Sequence, residues 1–400
     1  MKSPAPPASL TRPPLALSVA SFVSSFDRFA VSPMLVLIAV DLEVPLSASV
    51  AAASGYYLAY GLTQPLWGLL SDRFGRVRVM RVALFGAALA GVASALMPVL
   101  GALVVARVVT GACFGAVIPT GLTYVGDTVQ PSVRQRALTD LMAAAALGTA
   151  LATGLSGVLA GLVDWRVAFT VPAACALACA LTLGSLPEPP RVRLDGAALG
   201  VGRYLGAVLG HGWALLVFGL AFVEGAIMLG AMPFLATALE HAGYAAAVAG
   251  LAITAYGLGL WSFAKLVKRL AGRWPAPALM TVGGAQLTAG FVIVSVHVSM
   301  ATVAVTALLL GGGWSFLHSS LQTWATSVVP EARGTTIAFF ACALFVGSAV
   351  SSWAAGPLAE HGRYTLLFGL AAGAAIPLTA VAALTRRRYG RTEAARPQPE

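Results

Sequence analysis

Twelve apolar runs, each of roughly 20 residues or more, recur between Leu15 and Leu384 of this 400-residue chain. At ~1.5 Å of rise per helical residue, about 20 residues cross the ~30 Å hydrocarbon layer of a bilayer. The runs cover approximately 15–40, 48–70, 79–98, 101–126, 137–162, 167–185, 209–238, 246–266, 276–298, 301–327, 335–358 and 365–384. Within lipid every backbone N–H and C=O must be satisfied inside the segment, so such runs read as helices. A soluble core does not fit. Residues are 58% hydrophobic and 10% charged, against about 25% charged in soluble domains. The expected fold class is an all-α membrane protein with twelve transmembrane helices.

The net charge of +10 raises the question of a nucleic-acid partner, and the placement of the basic residues answers it. With the N-terminus inside, 21 of the 25 Lys and Arg fall on the cytoplasmic side, Arg166 and Arg363 outside, and Arg28 and Arg107 within the membrane. This is the positive-inside pattern. It predicts cytoplasmic termini and requires no nucleic acid. The first run is too long for a signal peptide and contains Asp27 and Arg28, so it is expected to remain as helix 1. Cys113, Cys175, Cys179 and Cys342 all lie inside predicted helices without metal-ligand spacing, and read as small packing residues. No metal or cofactor is implied.

The chain also repeats itself at an offset near 200 residues. Pro33 pairs with Pro233, and Ala59, Tyr60, Gly61, Leu62 reappear as Ala255, Tyr256, Gly257, Leu258. Pro131 and Arg134 are matched by Pro330 and Arg333; Gly148 and Gly157 by Gly347 and Gly356. An ordered series of this kind predicts two parallel six-helix halves, a repeat architecture of transporters. The expected organisation is an N-terminal tail at 1–14, a bundle at 15–186, a Pro- and Arg-containing linker at 187–206, a second bundle at 207–385 and a basic tail at 386–400. One chain supplies both halves, which suits a monomer in the bilayer.

After predicted helix 2 come Gly68, Ser71, Asp72, Arg73, Gly75, Arg76 and Arg78. The stretch resembles the signature loop of the major facilitator superfamily, Gly-x-x-x-Asp-Arg-x-Gly-Arg-x-Arg, complete at every defining position. The cognate stretch, Ala264 to Arg273, keeps Lys268, Arg269 and Arg273 but lacks the acid. Arg107, Gly111 and Gly115 in helix 4, and Asp164, Trp165 and Arg166 opening helix 6, are further similarities. The resemblance covers nearly the whole chain and implies that Asp72 caps the N-terminus of helix 11 near Thr335 and Thr336. There, free N–H groups favour an anion by roughly 0.3–1 kcal/mol. It further implies that Arg73 or Arg76 pairs with Asp127, forming a gating latch that breaks in each cycle.

Four ionisable residues lie well inside predicted helices: Asp27, Arg28, Arg107 and Glu224. Each costs on the order of 2.5–3.5 kcal/mol at mid-bilayer, so each is a functional candidate. Asp27 and Glu224 occupy cognate helices 1 and 7, in largely apolar surroundings that disfavour the charged form and allow proton exchange. Either is a candidate proton carrier, with Arg107 as a coupling partner; the alternative is a static buried pair with Arg28 or Arg107. Arg28 shares its face with Ser21, Ser24, Ser25 and Ser32, a polar cavity wall.

Small-molecule pockets combine aromatic surface with sparse hydrogen-bonding groups. Tyr57, Tyr60 and Gln64 in helix 2, Tyr256 in helix 8, and Trp314, His318 and Gln322 in helix 10 supply both; the alternative for these is interhelical packing. Helix 5 has a run of glycines but no proline among them, unlike drug/proton antiporters of the superfamily; Gly356 and Pro357 stand instead in helix 11. The acid-containing helix 7 resembles bacterial sugar and drug exporters, implying an inner-membrane setting. The favoured function is proton-coupled export of a small organic compound. The Asp-Arg pair of helix 1 resembles superfamily members that move organic anions with protons, or lysolipids, which implies the alternative of proton-coupled organic-anion or lysolipid transport. A membrane enzyme or sensor finds no support: the sequence holds no nucleotide loop, zinc motif or Ser/His/Asp set.

Overall fold

A computed structural model describes residues 12–189 and 206–394. Twelve helical segments follow one another in antiparallel succession. In the first half these are α1 (Leu15–Asp41), α2 (Ala51–Phe74), α3 (Arg76–Leu96), α4 (Leu100–Thr128), α5 (Pro131–Leu162) and α6 (Trp165–Thr182). In the second they are α7 (Gly212–His241), α8 (Ala246–Leu270), α9 (Ala276–Val296), α10 (Met300–Val328), α11 (Arg333–Glu360) and α12 (Tyr364–Ala394). Among the described residues, eleven segments are long and apolar enough to cross a membrane. The other, α2, is long enough, but three tyrosines, Gln64, Asp72 and Arg73 dilute its apolarity. Pro33 and Pro233, which each lack a backbone donor, fall where α1 and α7 break and resume.

The duplication is visible in the packing. In each half the first helix pairs with the fifth, the second with the fourth and the third with the sixth. The close approaches repeat residue for residue. A Cβ added at Gly148 of α5 would lie 2.2 Å from the carbonyl oxygen of Phe22, and one at Gly347 of α11 would lie 2.0 Å from that of Phe222. Likewise Gly111 meets the Tyr56 carbonyl at 2.5 Å and Gly311 that of Tyr256 at 2.3 Å. Backbone lies directly on backbone at these four positions, which only glycine permits.

The halves meet through α2 against α11 and α5 against α8. We call the side carrying Asp72 to Arg78 and Arg386 to Arg388 the basic face. On the far face the helices are in contact: Ser47 hydrogen-bonds Glu360, Gly356 abuts Ser47, and Gly157 abuts Ala246 and Gly250. Toward the basic face they part. Added Cβ atoms at Gly68 and Gly334 would meet nothing within 4 Å, and Leu147 and Trp261 are 54% and 63% exposed. The molecule is closed at the far face and open at the basic one.

Two further features frame the bundle. Asp164 caps α6 by accepting from the Arg166 N–H at 2.7 Å, while the Arg166 guanidinium reaches Asp41 at 2.8 Å. The basic segment from Arg386, expected as a tail, continues α12 to Ala394. Tyr389 anchors it, packing on Trp213 and Trp324 and donating to the Ser327 carbonyl at 3.3 Å. Most of the expected linker, from 190 to 205, and the first 11 residues lie outside the described residues.

Candidate functional site

Asp27 on α1 and Arg107 on α4 form a buried ion pair. Arg107 Nη1 donates to Asp27 Oδ1 at 3.2 Å and Nη2 to the Asp27 carbonyl oxygen at 3.2 Å, with Oδ2 3.1 Å from Nη2. The guanidinium is sandwiched by Tyr56 and Phe169, each ring centroid 4.6 Å away. Both residues are essentially shut off from solvent. Asp27 is thus paired with Arg107 in this state.

The cognate acid sits differently. Glu224 on α7 is fully buried, and its Oε2 lies 3.0 Å from His318 Nδ1 on α10, while Oε1 has no hydrogen-bond partner. His318 stacks on Trp314 at 3.7 Å between ring centroids and neighbours Phe340 at 5.5 Å. The local backbone explains that stack: Trp314–His318 is a π-helical turn, wider than an α-helical one and common at functional sites. Gly311, Gly312 and Gly313 precede it, pressed against Tyr256, Gln286 and Leu287. Gln322, one turn beyond His318 toward the basic face, is exposed.

Sequence reasoning named His318 as a pocket residue but missed its link to Glu224. In each half an acid on the first helix meets a base on the fourth, but the duplication did not signal it, because the Gly111/Gly311 match sets Ala307 rather than His318 opposite Arg107.

Arg28 is an intramembrane cation without a carboxylate partner among the described residues. Its guanidinium lies over Phe29, Tyr60 and Phe345, at 5.1, 5.1 and 5.4 Å to the centroids. Nη2 reaches Ser25 Oγ at 3.4 Å, and the buried Nε is unpartnered. Phe345 belongs to α11, so Arg28 touches both halves. Tyr57, Tyr60 and Tyr256 do not line open space in this state; they are 0%, 1% and 3% exposed. Gln64 is also buried, and Trp314 only partly so.

At the basic face, Arg76 bridges Asp72 and Asp127, reaching the latter at 3.2 Å, and donates to Ser71 Oγ at 3.0 Å. Arg73 lies over the Phe74 ring instead. Asp72 does not cap α11 here, and no side chain among the described residues caps that terminus; with the basic ends of α2 and α11 apart, the acid turns back to Arg76. An unexpected participant is Glu188, whose carboxylate accepts from the Val77 and Arg78 N–H groups, both at 3.2 Å, capping α3. Gly75 makes room for it: φ is 103°, and a Cβ there would lie 2.6 Å from the carboxylate carbon.

Two six-helix halves closing around buried charged residues, open to one side only, define a membrane transporter. The Major Facilitator Superfamily model matches residues 17–352, and the chain belongs to that family. Among curated relatives, a triacylglyceride transporter of Mycolicibacterium smegmatis is 32% identical over 134 residues, 33% of this chain and 24% of the relative. The multidrug export protein EmrB of Haemophilus influenzae is 31% identical over 124 residues, 31% of this chain and 24% of the relative. The chain therefore spans about a quarter of the length of these relatives.

Solved structures align over nearly everything. A bacterial homologue of the human lysosomal transporter Spinster, inward-facing and unoccupied, superposes with TM-score 0.75 at 16% identity over 96% of this chain and 98% of that one. A D-xylose-proton symporter gives 0.73 at 17% identity over 93% and 96%. At such identities the likeness is one of fold.

Proposed function

We propose that this protein exports a small organic compound in exchange for protons, by alternating access around the Arg28 and Glu224 region. The observation that carries the reading is the Glu224–His318 contact. A carboxylate with one oxygen on an imidazole and the other unpartnered, in a site closed to solvent, has a proton donor and acceptor beside it and little to hold a fixed charge. Gln322, one turn further along α10 than His318, is exposed. In this reading the basic face is cytoplasmic, the described state faces inward, and opening of the far face exposes Glu224 to the other compartment. Asp27, held by Arg107, has a structural part. Export is supported by the relative named a multidrug export protein.

A second reading concerns the cargo. Arg28, cationic and without a carboxylate partner among the described residues, favours a substrate with an anionic group and an apolar body that packs on Tyr60 and Phe345. Transport by purified protein in proteoliposomes, with and without an imposed pH gradient, tests both readings. Cargo panels of cationic drugs, organic anions and lysolipids separate the substrate classes. Flux indifferent to the pH gradient would overturn proton coupling.

A further inference from the structure

Helices α5 and α8 form a pair that is only half in contact. From the far face inward, Gly161 meets Ala247, Gly157 meets Gly250, Gly154 meets Thr254 and Ala150 meets Gly257. Along this line α5 steps back by four, three and four residues while α8 steps forward by three, four and three. Alternating steps of three and four are the signature of a heptad seam, in which a single register runs the length of two helices. The last glycine approach is that of Gly257 to Ala150, and beyond it Leu147 and Trp261 are exposed, although both helices continue, α5 to Pro131 and α8 to Leu270.

The sequence carries the same pattern onward. The next positions on α5 are Leu147, Ala143 and Asp140; the next on α8 are Trp261, Ala264 and Lys268. A large apolar residue faces a large apolar residue, alanine faces alanine, and an acid faces a base. All six are exposed in this state. Neither Asp140 nor Lys268 takes part in any ion pair found among the described residues.

We propose that the unused part of this seam is the second basic-face gate. In the opposite state α5 and α8 zip onward in the same register, Leu147 closing on Trp261 and Ala143 on Ala264, and Asp140 pairing with Lys268. The proposal rests on the alternating-access reading above. The degenerate repeat of the signature loop thereby acquires a role, since Lys268 lies in that stretch and its acid comes from α5 rather than from its own loop. A single solvent-exposed pair is weak, which suits a contact broken in every cycle. The apolar pairs set the register and the charges confirm it.

The test uses full-length protein with the four native cysteines replaced by serine. Asp140→Cys with Lys268→Cys should form a disulfide or accept a short cross-linker, and cross-linking should shield Gln322→Cys from reagents added at the basic face. The off-register pair, Asp140→Cys with Leu266→Cys, points about 160° away on α8 and should cross-link far more slowly. Spin-label distances between the basic ends of α5 and α8 supply a readout independent of transport. Asp140→Lys should shift the population toward the open form by about two- to fivefold, and adding Lys268→Asp should reverse the shift. Equal cross-linking of both pairs, no cross-linking of either, or a swap that restores nothing would overturn the proposal. A normal distance response with no flux of any cargo would instead count against the transport reading.

Discussion

Phe345 of α11 sits edge-on to Tyr60 of α2, ring centroids 4.7 Å apart, so the two halves touch directly beside the Arg28 guanidinium. Anything bound to Arg28 is therefore in contact with the surface along which the halves separate. Arg28→Ala should weaken binding of an anionic cargo by about ten- to hundredfold, the value of a charge-assisted hydrogen bond, while leaving a cationic cargo nearly unaffected. Arg28→Lys should recover only part of the loss, because an ammonium cannot stack flat on the aromatic walls. Titration calorimetry with matched anionic and cationic ligands checks this.

Glu224→Gln keeps the shape of the side chain and removes its ability to exchange a proton. Accumulation driven by a pH gradient should be abolished, whereas exchange of labelled for unlabelled cargo without a gradient should continue at near wild-type rate. His318→Gln should slow gradient-driven transport without eliminating exchange. Full gradient-driven accumulation by Glu224→Gln in proteoliposomes would remove this acid from the mechanism.

For the Asp27–Arg107 pair the expected outcome is a loss of stability. Asp27→Asn leaves Arg107 buried and uncompensated, a destabilisation of about 3–5 kcal/mol. Thermal unfolding in detergent should report it as a large fall in midpoint. The double variant Asp27→Leu with Arg107→Met removes both charges and should recover most of the stability. A double variant that is stable yet has lost gradient coupling would move Asp27 from structure to mechanism.

The basic-face loop makes separable predictions. Asp72→Asn should favour the open basic face if the acid reaches the α11 terminus when that face closes, and distances between the basic ends of α2 and α11 should lengthen on average while cargo binding survives. Gly75→Ala should be more damaging, since it demands both a positive φ and the space occupied by the Glu188 carboxylate. Glu188→Gln keeps one accepting oxygen but loses the charge and turns an NH2 toward the second N–H, and should be milder than Gly75→Ala. Thermal midpoints ordered otherwise would show that Glu188 does not govern this loop.

Much of the architecture was legible because bilayer physics and duplication leave marks on single residues. Run length located the helices, and the matched pairs Gly148/Gly347 and Pro33/Pro233 reappear as matched packing and matched breaks. Loop chemistry was partly legible: Arg76 with Asp127 was expected, but Glu188 was not, because it reaches α3 from more than 100 residues away. The Glu224–His318 contact was hidden for the same reason, and no periodicity within α7 or α10 encodes which helix faces which. The tyrosines were ambiguous in principle. Aromatic faces that line a pocket in one state bury themselves against the other half in another, as Tyr60 does on Phe345.

The glycine seats on which Phe22 and Phe222 rest have a consequence for inhibition. Because each half grips itself backbone to backbone at these points, neither half has slack with which to accommodate an intruder; compliance is confined to the cleft between them. A compound too bulky to reach Arg28, but lodged between Leu147 and Trp261, would act as a doorstop, arresting turnover without competing for the cargo's own contacts. Its apparent affinity would follow the fraction of molecules whose mouth stands open, so the same dose would be potent against a resting transporter and feeble against one held shut.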